Sequence, residues 1–483
     1  MLDNHHVLLR EKEQQSPWTL NNVHLQQKRL YHATHRQEIL PIIAAVGVLA
    51  IARYSYRALN RMEEEWEDYQ WQLQQYERRH GHIDENVQSI QTMAIDLGTV
   101  YTKIASSHVG TTKGKAEVVV SREGDRYFFN GVVLEGEDQA VLGRKALEKF
   151  FFPEGQQVTA VKLPWAGLLT SAPDTGKLVS KVISPVLQET LERLESKAEA
   201  TRFVIAVPSL LAHTDGFRSA FENLSSDQTT FVPDPVAAVW GAQTKGLIPM
   251  DEEEKANKVM VVDVGGYLTQ LSMVEKDRLQ SSLVFPWGGE TVVEKAVQVI
   301  RQQSPEPILD ERALSATQVQ ARDAVSALST QMQVPVHVHY IFATPGKHHL
   351  DTTLSRSVVE QAVQSEIQEL ASTDDMGSLS RHMPTPTNLE TLFLSMVTEL
   401  LERNNATPQT VDKILLVGGA SRFPLVRKSL MQAMSLLMPS SEATGKLVHD
   451  TSFAPELVVL GAANILPAYT YDMSRGLVRS EQK

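Results

Sequence analysis

Two aspartates in this chain close apolar runs and are followed at once by glycine. Asp96 lies in Met93-Ala-Ile-Asp-Leu-Gly-Thr-Val-Tyr-Thr-Lys-Ile-Ala105, and Asp263 in Lys258-Val-Met-Val-Val-Asp-Val-Gly-Gly-Tyr-Leu-Thr-Gln-Leu-Ser-Met-Val274. An apolar strand, an acid, a glycine turn and a returning run of β-formers read as a hairpin with an acidic tip. Such a tip suits a phosphate and its metal: glycine lets the backbone approach an anion, consecutive N–H groups cradle its oxygens, and a carboxylate holds Mg²⁺ through retained water. The bland alternative is an ordinary hairpin with Asp-Leu-Gly in its turn, and the first stretch alone does not decide between them.

Three further positions carry possible chemistry. Lys162, in Val158-Thr-Ala-Val-Lys-Leu-Pro164, ends a strand-like run, where its cation reads either as a partner for a phosphate or a water, or as a solvated lysine. Asp234 sits at a strand-to-helix corner, read as a cap followed by proline at the first helical position. Gly418-Gly419, after the strand-like Lys413-Ile-Leu-Leu-Val417, admits a flat ring to the backbone, and Arg422 is placed to stack on it.

The elements that must position these residues follow from periodicity. Buried-strand runs are expected at Arg202–Pro208 and in the two hairpins, with helices at Leu187–Glu199, Thr317–Gln331, Leu425–Met434 and Pro455–Asn464. Ahead of them lie a polar tail (1–38) and an apolar stretch (39–59) that is uncharged from Ile39 to Ala52. The latter reads as a single membrane anchor if Arg53 and Arg57 snorkel, since a span needs roughly 20 residues. Met62, Trp66, Tyr69, Leu73 and Tyr76 then form a short heptad seam within a helical stalk (60–90), serving either the stalk's own domain or a coiled-coil partner. A main domain over 91–470 and a polar tail over 471–483 complete the expected organisation.

The 483 residues carry a formal net charge of -12 and no cysteine. The acidic balance argues against sequence-independent nucleic-acid binding, which needs clustered Lys and Arg. The missing cysteine excludes disulfides, thiolate nucleophiles and Cys-ligated metals. Among the fifteen histidines, His337, His339, His348 and His349 read as surface or strand positions rather than as metal ligands.

The ordered motifs Ile95-Asp-Leu-Gly-Thr99, Val204-Ile-Ala-Val-Pro208, Pro233-Asp-Pro-Val-Ala-Ala238, Pro286-Trp-Gly-Gly-Glu290 and Leu416-Val-Gly-Gly-Ala-Ser-Arg-Phe-Pro424 resemble the nucleotide-binding domain of the seventy-kilodalton heat-shock chaperone family. The resemblance runs from about Met93 to about Tyr469. It implies the α/β actin-like ATPase fold, with two lobes around a cleft that takes ATP or ADP with Mg²⁺. By position it implies that Asp96 and Asp263 hold the metal's waters, that Lys162 orients the attacking water, and that Asp234 stands where the family has glutamate. The cleft lining implied is Gly98, Thr99, Val100, Gly265, Gly266, Gly288, Gly289, Glu290, Gly418, Gly419, Ala420, Arg422 and Glu456.

Departures from the family's pattern shape the expectation. After Gly266 the family continues Gly-Thr-Phe-Asp, whereas this chain has Tyr267-Leu268-Thr269-Gln270, and Val100 replaces a threonine. On the helix that the family sets against the nucleoside, Arg322, Val325 and Ser326 stand where it has Glu, Lys and Arg. Losing one preorganised donor in such a site costs on the order of 10²-fold in rate. The family's peptide-clamping β-sandwich is not expected within this chain. What results is an expected membrane-anchored, chaperone-like ATP-binding protein with weak hydrolysis, acting with protein partners as adaptor or co-chaperone in a mitochondrial or endoplasmic-reticulum membrane. The alternative is a pseudo-ATPase scaffold within a membrane assembly.

Overall fold

A computed structural model describes residues 90–109, 116–120, 126–129, 132–135, 139–142, 201–209, 229–249, 258–308, 311–339, 349–372, 386–465, 469–472 and 476–479. All of them belong to the second of two units, 82–483, into which the chain divides. The expected tail, the anchor at Ile39–Leu59, the stalk seam, the helix at Leu187–Glu199 and Lys162 lie outside the described residues. No helix among the described residues is long and apolar enough to cross a membrane.

The first sheet is built from β1 (Ile90–Leu97), β2 (Tyr101–Val109), β3 (Glu117–Val118), β4 (Phe128–Phe129), β7 (Thr201–Val207) and β8 (Thr229–Pro233). Its order is β3-β2-β1-β7-β8, with β4 beside β2. Between β4 and β7, β5 (Val132–Glu135) and β6 (Gln139–Leu142) pair as a separate hairpin. β1 is central and buried on both faces, so it reads as a nearly continuous apolar run rather than an alternation.

Helix α1 (Asp234–Thr244) then leads to the second sheet: β9 (Lys258–Val264), β10 (Thr269–Glu275) and β11 (Arg278–Phe285) form a meander. Helices α2 (Gly289–Gln303) and α3 (Glu311–Leu328), hairpin β12 (Gln333–Val338) and β13 (Leu350–Ser355), and helices α4 (Arg356–Ser372) and α5 (Leu389–Arg403) follow. The chain returns to the sheet as β14 (Lys413–Val417), continues through α6 (Pro424–Leu437) and α7 (Ser440–Lys446), and adds β15 (Leu447–Val448). The order of this sheet is β11-β10-β9-β14-β15.

Both sheets therefore share one plan. An antiparallel meander runs into a central strand, and two further strands join parallel to it: β7 and β8 in the first sheet, β14 and β15 in the second. This duplicated α/β arrangement is compatible with the actin-like ATPase fold expected from the sequence. A large apolar core spans the second sheet and its helices, with Phe285, Trp287, Phe393 and Met260 fully buried.

Helix α8 (Leu457–Ala463) closes the exchange between sheets, packing on β1, β2 and β7 while it crosses α1, which lies against β9 and β10. At the crossing, a Cβ on Gly461 would overlap the Ala237 carbonyl, and one on Gly241 would overlap that of Leu457. Only glycine permits this backbone approach. Ser107 Oγ donates to the Ala463 carbonyl at 2.5 Å and Arg202 to that of Ile465 at 2.8 Å, fixing the end of α8 to the first sheet.

Across the start of the segment read as a tail, β16 (Tyr469–Asp472) and β17 (Gly476–Arg479) pair as an antiparallel hairpin. His337 occupies an exposed strand position, His339 is exposed just past the end of β12, and His337 Nδ1 lies 2.7 Å from Asp351.

Candidate functional site

The parallel strands carry their chemistry at their carboxyl ends, where α/β sheets place their ligands. Asp96 ends β1, Asp263 lies near the end of β9, and Asp234 opens α1 directly after β8. The sequence expectation that Asp234 caps its helix is corrected here. Pro233 occupies the cap position without a side-chain hydrogen bond, and Asp234 is the first helical residue. Its carboxylate is buried instead, with Oδ1 lacking a hydrogen-bond partner.

Asp96, Asp234 and Asp263 form one acidic corner. Burial raises the Asp234 pKa well above the ordinary carboxylate range, with Asp96 and Asp263 adding to the rise. Burial likewise pushes Asp263 up to about 6, a rise that Lys103 opposes and Asp96 reinforces. Asp263 Oδ1 is also buried without a partner. Two orphaned carboxylate oxygens in a low-dielectric corner are acceptors that favour a cation or its waters, so these residues fit a divalent ion.

The sequence reading assigned no role to one residue of this corner. Lys103 stands directly opposite Asp96 in the β1–β2 register, and its ammonium lies 2.6 Å from Asp96 Oδ2. Burial works to lower the lysine's pKa, but Asp96, the hydrogen bond to it and Asp263 outweigh that effect, leaving it raised. Its signal was present in the spacing, since a tight hairpin pairs the residues flanking its turn.

The glycine turns of the two hairpins meet. Thr99 Oγ1 accepts from the Tyr267 amide at 3.1 Å, and a Cβ on Gly266 would overlap Val100. The start of α2 supports the second turn, because Gly289 and Glu290 donate their amides to the Gly265 and Gly266 carbonyls at 2.9 and 2.7 Å. A Cβ on Gly288 would stand 2.5 Å from the Gly266 carbonyl. Gly288, Gly289 and the Glu290 backbone thus brace the turn. The Glu290 carboxylate pairs with Arg322 from α3. Tyr267, half-buried beside this pair, is pushed up to about 12 by burial, then by Glu290 and Glu294.

Gly418 adopts φ +90 beside Asp263, where any Cβ would strike the carboxylate. That positive φ is available to glycine at little cost and brings the β14 turn into the acidic corner. Gly419 faces open space, leaving room for a planar group, and Ala420 packs near Gly289. Arg422 is exposed and donates Nε to the Thr451 carbonyl at 2.9 Å. Glu456, just before α8, accepts from Arg126 at 2.8 Å and from the Tyr127 hydroxyl at 3.1 Å. Opposite Asp263, Gln270 donates Nε2 to Ser209 Oγ at 2.9 Å, linking the second hairpin to the end of β7.

No family model matches the chain. Among curated proteins it is similar to the chaperone protein DnaK of Elusimicrobium minutum, 24% identical over 402 residues, and to DnaK of Thermotoga petrophila, 23% identical over 391 residues. It is a divergent relative of the DnaK (Hsp70) chaperones. The alignments cover 77% of this chain but only 56% and 58% of those relatives, so the chain spans little more than half their length.

Proposed function

We propose that the chain is a chaperone-type nucleotide-binding protein that takes ATP or ADP in the cleft between its two sheets. The observation that carries this is the pair of orphaned carboxylate oxygens on Asp234 and Asp263, opening beside the glycine turns of both hairpins and of β14. Backbone at Gly98, Thr99, Gly265 and Gly266 would face phosphates, and the open backbone at Gly419 would take the base, with Arg422 at its rim. Asp263 and Asp234 would hold the waters of a bound Mg²⁺, whose charge would offset that of the phosphates.

Hydrolysis is weak in this reading. The Tyr267 amide already donates to Thr99, and Gln270, where the family has an acid, is turned toward Ser209. These residues orient the turns rather than a γ-phosphate or its attacking water. The apolar stretch Ile39–Leu59 anchors the protein in a mitochondrial or endoplasmic-reticulum membrane, and its role is that of an adaptor or co-chaperone for protein partners. The Thr99–Tyr267 contact, with Val100 set against Gly266, also favours a second reading: a pseudo-ATPase scaffold whose hairpin tips satisfy each other.

Thermal unfolding of the full-length chain with and without Mg-ATP separates the two. A ligand that binds only the folded state adds about 2.7 kcal/mol at 100 times its Kd. Stabilisation of that order supports the nucleotide reading, and none at millimolar Mg-ATP leaves the scaffold. Fast single-turnover hydrolysis abolished by Lys162→Ala would overturn the claim of weak hydrolysis.

A further inference from the structure

The acidic corner already contains a cation of its own. Lys103 and Asp96 face each other across the first hairpin with side chains 14% and 5% exposed, so this is a desolvated pair rather than a surface one. A buried carboxylate needs such a partner, because an unpaired charge in low dielectric is strongly disfavoured. The lysine is also close enough to Asp263 and Asp234 for each carboxyl to feel it. The second hairpin has no equivalent, since the residue opposite Asp263 is the neutral Gln270, turned toward Ser209.

We propose that the Lys103 ammonium is the resident counter-ion of this corner, so that the cleft holds its nucleotide with little dependence on a divalent metal. A lysine suits the role: its ammonium is a compact point charge that pairs with carboxylates and phosphates alike, without the octahedral water shell that Mg²⁺ demands. With Asp96 Oδ2 engaged by Nζ, the buried carboxylate oxygens without a partner are Asp234 Oδ1 and Asp263 Oδ1. Lys103 is a positioning residue here, setting the charge against which phosphates are received. The inference rests on the nucleotide reading.

Two titrations of the purified full-length chain test it, each on wild type, Lys103→Met and Lys103→Arg. The first measures ATP affinity in Mg²⁺ and in excess EDTA; the second measures Mn²⁺ affinity of the nucleotide-free protein by paramagnetic resonance. Wild type is expected to hold ATP with affinities within about tenfold of each other in the two buffers, about 1.4 kcal/mol. Lys103→Met is expected to lose at least about tenfold in ATP affinity in EDTA while gaining at least about tenfold for Mn²⁺, because Asp96 is released to the metal. Lys103→Arg is expected to stay near wild type. Opposite signs in the two titrations cannot come from a merely structural defect, which would lower both. ATP binding by wild type that collapses in EDTA overturns this inference alone, as does a Lys103→Met variant in which both affinities fall. Absence of ATP binding in either buffer overturns the nucleotide reading and this inference with it.

Discussion

Replacing Asp263 by asparagine tests the electrostatics of the corner without any ligand. The carboxyl is pushed up to about 6 from an ordinary value of 3.8, chiefly by burial. Between those values the folded chain holds a proton that the unfolded chain has released. The stability this group contributes is therefore complete below about pH 4 and is lost as pH rises through about 6. At 1.36 kcal/mol per pH unit, the loss at neutral pH is about 3 kcal/mol. Asp263→Asn removes the ionisation, so its stability is expected to vary less with pH than that of wild type. Its gain at pH 7.5 should fall short of the full amount, because a buried amide without partners costs about 1 to 3 kcal/mol. Urea unfolding in EDTA, at steps between pH 4.5 and 8, reads the difference directly. Asp234, also raised, leaves a residual slope in the variant. Parallel pH profiles for the two proteins would refute the reasoning, since the carboxyl would then titrate alike in folded and unfolded chains.

Gly461→Ala should destabilise the chain by about 1 to 3 kcal/mol in the same assay, the cost of overpacking, because its Cβ has no room beside the Ala237 carbonyl. Arg322→Met strands Glu290, 7% exposed, without its partner and should cost about 3 kcal/mol; pairing it with Glu290→Gln should restore most of that, read as a double-mutant cycle. Burial, then Arg427, lowers the His449 pKa to about 4, so its ring protons should not shift between pH 8 and 5.5 in an NMR titration, whereas an ordinary histidine would move near 6.5.

What the sequence disclosed was local and periodic. Strand, acid, glycine and returning strand are adjacent in the chain, so both hairpins and the turn at Gly418 could be read without knowing the fold. The helices at Pro424–Leu437 and Leu457–Ala463 were legible for the same reason, from their apolar faces. Contacts between distant elements were hidden. Glu290 and Arg322 belong to different helices, and nothing in either neighbourhood announces that one carboxylate and one guanidinium will close on each other. Asp234 was misplaced by one position because Asp-Pro reads as a cap followed by the first helical residue, whereas the chain gives the cap position to Pro233. Lys103 was legible but unread: register pairs it with Asp96, yet a lysine in a β-strand looks solvated until both faces of that strand are known to be covered. The strands of the closing hairpin, four residues each, are too short for any period to stand out.

The bare crossing of α1 and α8 has a mechanical consequence. Gly241 and Gly461 bring two backbones together with no side chain between them, so nothing there interlocks as ridges and grooves do elsewhere in helix pairs. α1 touches strands of both sheets, and the far end of α8 is bolted to the first by Ser107 and Arg202. With no side chain between the two backbones, any residue larger than glycine at 241 or 461 must wedge the two helices apart.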